Sequence, residues 1–81
     1  MDYTARLDML SPMINGIPSW DTRRDLAKLH NNLKTLAKAL SVAAVDCRRL
    51  KHPTATFTVL DAQFDESYSE LEQWITFAML L

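Results

Sequence analysis

A single glycine, Gly16, occurs in 81 residues, and that scarcity excludes much of nucleotide chemistry at once. A loop that wraps a phosphate needs several glycines so that backbone amides can approach the ligand. The sharp turn that presents a nucleophilic serine also depends on them. Cysteine is equally rare: Cys47 alone permits no intrachain disulfide, and His30 and His52 have no companions at zinc-ligand spacing. Neither sign of charge dominates, with nine Lys and Arg against ten Asp and Glu, so the overall basic excess of a typical nucleic-acid-binding domain is missing. No apolar run approaches the roughly 20 residues that cross a bilayer. The first residues mix acid and base ahead of any apolar stretch, unlike a secretory signal. A chain that works without cofactor or metal, away from membranes, is expected, and a free thiol suits a reducing, cytoplasmic setting.

What remains is apolar and helix-forming. Hydrophobic residues make up 48% of the chain, the balance of a folded domain and not of a disordered tail. At this length only one domain is possible, and such a domain draws only about 3–5 kcal/mol from its core. With disulfides and metal excluded, self-association is the staple left.

Residues 1–18 read as an N-terminal arm. A short helix is expected over 3–10, followed by a turn, because Pro12 and Pro18 bracket Asn15-Gly16, a tight-turn pair. Leu7, Met9, Leu10, Met13, Ile14 and Ile17 make the arm greasy enough to fold back on the body. From Ser19, an N-cap with Asp21 in the first turn, nothing breaks the chain until Pro53. The spacing predicts a helix over 19–51, about 50 Å long. Leu26, Leu29, Leu33, Leu36, Leu40, Ala43, Cys47 and Leu50 alternate steps of three and four as a coiled-coil seam does. Its flanks, with Ala37, Ala39 and Ala44, suit close antiparallel packing better than a parallel zipper. Pro53 ends this helix and residues 54–57 form a short connection, with Thr58 or Thr54 capping the next. Phe57, Leu60, Phe64, Leu71, Trp74, Ala78 and Leu81 then repeat the rhythm, with Ser67 polar and Tyr68 and Ile75 widening the face. The expected fold is all-α: an antiparallel hairpin over 19–81 carrying the arm, assembling into a helical bundle as a homodimer.

Charge agrees with that pairing. Residues 21–52 hold eight basic and three acidic side chains, whereas 53–81 hold five acidic and none basic. The second helix, about 23 residues, is expected to fall short of the first by some three turns. The far end of the hairpin would then need cover from the arm or from another chain.

Three surfaces are candidates for function. Trp20, Leu26, Met13, Ile14, Trp74, Phe77, Met79 and Leu81 gather aromatic and methionine side chains at one end, the composition of an association interface. Arg24, Lys28, Lys34, Lys38, Arg48 and Arg49 form a basic stripe on the first long helix that can track phosphates or an acidic partner. Asp61 and Asp65, one turn apart, share a face as magnesium ligands sometimes do. No catalytic template is present, Cys47 at a seam position is expected to be an inert packing residue, and His30 a packing residue beside the seam. The leading expectation is a non-catalytic, homodimeric protein-binding module that adapts or regulates a larger partner. A nucleic-acid-associated regulator using the basic stripe is the alternative, and a metal-dependent helical enzyme the second.

Overall fold

Three helices carry residues 2–80, the part of the chain described by the computed structural model: α1 (Tyr3–Asn15), α2 (Trp20–Leu50) and α3 (Ala55–Leu80). The expected all-α hairpin is present as α2 and α3, joined by a four-residue connection, and α1 lies along both. No strand occurs among the described residues.

The ends of α2 follow the sequence signals. The Ser19 Oγ accepts the Thr22 N–H at 3.4 Å, with Asp21 in the first turn and Arg48 and Arg49 in the last. Both placements complement the helix dipole. The helix stops at Lys51, which takes the left-handed conformation at φ 62°. His52 cannot continue it, because a residue before proline is pushed out of the α region. Of the two candidate caps for α3, Thr54 is the one used: its Oγ1 accepts the Phe57 N–H at 3.1 Å. Cys47 closes the connection from below, with its Sγ 3.4 Å from the Thr54 N–H.

Two expectations are corrected. The first concerns the arm. α1 runs through Pro12 to Asn15 instead of stopping at residue 10, and Gly16 is its C-cap in ordinary right-handed geometry, with φ −85° and its N–H directed to the Pro12 and Met13 carbonyls. An interior proline costs about 3 kcal/mol. Continuing the helix places Ile14 in the core and leads into Ile17, which is buried as well, at about 1.5–3 kcal/mol each. The carbonyl that Pro12 leaves without a helical partner belongs to Asp8, which is exposed and can be hydrated.

The second correction concerns the seam. On α2 the buried positions are Leu26, His30, Leu33, Ala37, Leu40 and Ala43, and on α3 they are Phe64, Tyr68, Leu71, Ile75 and Ala78. Leu29 and Trp74 are exposed, Leu36 is half-buried and Ser67 faces out. Each long helix is turned so that its buried stripe points between two neighbours. A bare hairpin would centre the seam on Leu29, Leu36, Ser67 and Trp74; a third helix draws in His30, Ala37, Tyr68 and Ile75 instead.

The resulting core is continuous. Leu7, Leu10, Ile14 and Ile17 from the arm close over Leu33, Leu40, Phe64, Leu71 and Ile75. His30, the buried polar side chain among them, lies 2.7 Å through Nε2 from the Leu7 carbonyl. A carbonyl only accepts, so Nε2 carries the proton and donates.

Candidate functional site

The acidic pair on α3 is occupied by the arm. The Tyr3 hydroxyl donates to Asp61 at 2.6 Å, and Arg6 reaches Asp65 at 3.1 Å. The Arg6 guanidinium lies over the rings of Tyr68 and Phe64, 4.5 and 5.2 Å from their centroids. The Tyr68 hydroxyl in turn donates to the Arg6 carbonyl at 3.1 Å. Hydrogen bonding to the Asp61 carboxylate, then burial, pushes the Tyr3 phenol up to about 12. Asp61 and Asp65 thus clasp α1 to α3, and among the described residues no three His, Cys, Asp or Glu side chains converge as a metal site would require. The sequence held the clue in complementary spacing: Tyr3 and Arg6 are one turn apart, as are Asp61 and Asp65.

The basic residues do not form one line. At 3.6 residues per turn Arg48, Lys34, Lys38, Arg24 and Lys28 spread around the outward half of α2, from the edge beside α1 to the edge facing away from it. Arg24 is engaged by Asp21 and Asp25 at 3.9 and 3.8 Å and stacks over Trp20 at 5.0 Å, while Arg49 pairs with Asp46 at 3.5 Å. Among the described residues Lys28, Lys34, Lys38 and Arg48 have no carboxylate within 4 Å.

The apolar end divides. Leu26 and Ile14 belong to the intramolecular core and leave the surface set. Met13 and Met79 are partly exposed, Trp20, Trp74 and Phe77 are 60%, 50% and 54% exposed, and Leu80 is 81% exposed. Leu81 lies outside the described residues. The Trp74 and Phe77 rings meet edge to face, 6.1 Å apart.

Sequence pattern alone missed where this apolar surface continues. On the side of the hairpin away from α1, a groove runs between α2 and α3, lined by Leu29, Asn32, Leu33, Leu36, Ser67, Glu70 and Leu71. Glu70, Gln73, Trp74 and Phe77 extend it toward the end of α3. The leucines displaced from the expected seam are its floor and wall. No helix of the described residues is long and apolar enough to cross a membrane. Comparison with protein-family models, curated proteins and solved structures finds no match.

Proposed function

We propose that this chain is a small non-catalytic protein-binding module, homodimeric, that adapts or regulates a larger cytoplasmic partner. The observation that carries the reading is the uncovered aromatic and leucine surface of Leu29, Trp74, Phe77 and Leu80 on an otherwise completed core. A domain whose interior is already closed has no internal use for two half-exposed aromatics in contact, and contiguous exposed apolar surface of this kind marks association. The acidic pair suited by spacing to a metal-dependent reaction is tied to Tyr3 and Arg6, which supports binding over chemistry.

A photo-crosslinking residue placed at position 77, and separately at position 38 on the basic face, tests the reading in the native host. Protein adducts at 77 support it. Nucleic-acid adducts at 38 with none to protein at 77 would overturn it in favour of a nucleic-acid-associated regulator that uses Lys28, Lys34, Lys38 and Arg48.

A further inference from the structure

The groove between α2 and α3 has the dimensions and charges to receive itself. We infer that it is filled by the same groove of a second copy, about a twofold axis parallel to the helices, so that α2 of each copy lies against α3 of the other. This rests on the reading of the chain as an association module and specifies its occupant and geometry.

Size comes first. The Cα atoms span 47 × 18 × 16 Å, so one whole long face projects on the order of 800 Å² per copy, as much as a standard stable interface buries. The floor is apolar: Leu29 is 42% exposed, and Leu36, Trp74 and Phe77 continue it. Burying such a face twice supplies the staple that a chain of 81 residues lacks in disulfides.

Charge then selects the arrangement. The α3 edge of the groove carries Glu70, with Glu66 one turn before it, and the α2 edge carries Asn32, with Lys28 one turn before it. Lys28, Glu66 and Glu70 have no oppositely charged side chain within 4 Å among the described residues. Laying α2 on α2 and α3 on α3, about an axis crossing the helices at this level, would set the glutamates against their own copies, where like charges repel. Laying α2 on α3 sets Lys28 against Glu70 of the second copy. A twofold rotation about an axis along the helices includes no shift along them, so every residue keeps its level. Asn32 and Glu70 already line one stretch of groove, which leaves Lys28 about one turn from the carboxylate, within reach of its long stem. Every helix in the resulting four-helix layer has antiparallel neighbours, as in up-and-down bundles, and each α1 remains on the outside.

Dimer dissociation constants from sedimentation equilibrium test this on the full chain. Because the interface is isologous, one substitution changes two contacts. Lys28→Glu and Glu70→Lys should each weaken the dimer about tenfold, given exposed pairs of roughly 0.2–1 kcal/mol turned repulsive. The double variant K28E/E70K should restore it, and so should an equimolar mixture of the two single variants. If the single variants dimerise like the wild type while their mixture binds more tightly than either, α2 lies on α2 and the arrangement is overturned. Trp74→Glu, at a half-exposed position, should give a monomer of unchanged far-UV circular dichroism; a folded variant that still dimerises as tightly as the wild type excludes the groove. A wild-type chain that stays monomeric while position 77 crosslinks to a different protein overturns the second copy as occupant, and the homodimer with it, and leaves the protein-binding reading intact.

Discussion

The Tyr3 hydroxyl illustrates how much of the arm's attachment rests on single atoms. It donates to Asp61 at 2.6 Å, a charge-assisted bond, and the fold holds its proton until about pH 12. In the unfolded chain the phenol ionises near pH 10. The native state therefore binds more protons between these values, and the stability contributed by Tyr3 is fully present below pH 10, declines as pH rises and is gone above about 12. Tyr3→Phe should cost about 1 kcal/mol near neutrality and flatten the alkaline limb of a denaturation profile recorded from pH 9 upward. Lys51 is a second single-residue case. Its positive φ is strained for any residue with a Cβ, so Lys51→Gly should stabilise by roughly 0.5–1 kcal/mol in urea unfolding, as at other left-handed helix ends. The Tyr3 bond was foreshadowed only by the matching one-turn spacings of Tyr3 and Arg6 and of Asp61 and Asp65, and the Lys51 conformation not at all. The first depends on a partner 58 residues away and the second on where the turn before Pro53 closes.

At the scale of elements, helix boundaries set by local chemistry were legible and faces set by neighbours were not. Ser19, Pro53 and Thr54 act through atoms within a few residues of themselves, and α2 begins and ends where they direct. Pro12 and Asn15-Gly16 gave equally local signals for a break, yet α1 continues, because the burial of Ile14 and Ile17 outweighs the hydrogen bond that proline forfeits. Pro12→Ala should restore that bond to Asp8 and raise stability by about 1–2 kcal/mol, somewhat less than the full interior-proline cost because proline also stiffens the unfolded chain. A fall in melting temperature would mean that the ring itself supports the packing of α1. The seam is the converse case. The three-four rhythm correctly located apolar stripes on both long helices, but which members of a broad stripe become core depends on a third helix. Leu29 and Trp74 fitted the rhythm and are exposed, whereas His30 and Tyr68 are buried through bonds to backbone carbonyls of α1. Replacing His30 by Ala removes both packing and that bond and should cost roughly 2–4 kcal/mol.

For the whole molecule, the same rotation of the helices links fold to function. Once the arm completes one side of the hairpin, the leucines and aromatics that would have met each other are turned to the opposite side and form the groove. Part of the composition of that surface was legible in the sequence, since Trp74 and Phe77 were singled out as interface residues, whereas Trp20 is exposed on α2 and lines neither stretch of the groove. The location of the surface was not legible, because Ile14 and Leu26 proved to be core and Leu29 and Leu36 were assigned to the seam. Charge was legible only in bulk: the excess of base on one helix and acid on the other is clear from the chain, while the positions of Lys28 and Glu70 along one groove require the fold.

Absolute mass in solution, measured by light scattering at low and high salt over a tenfold range of concentration, tests the pairing of two copies most directly. A mass of twice 9.3 kDa, nearly indifferent to salt because apolar burial outweighs the rim charges, is the predicted result. A mass of 9.3 kDa at every concentration and salt would contradict it.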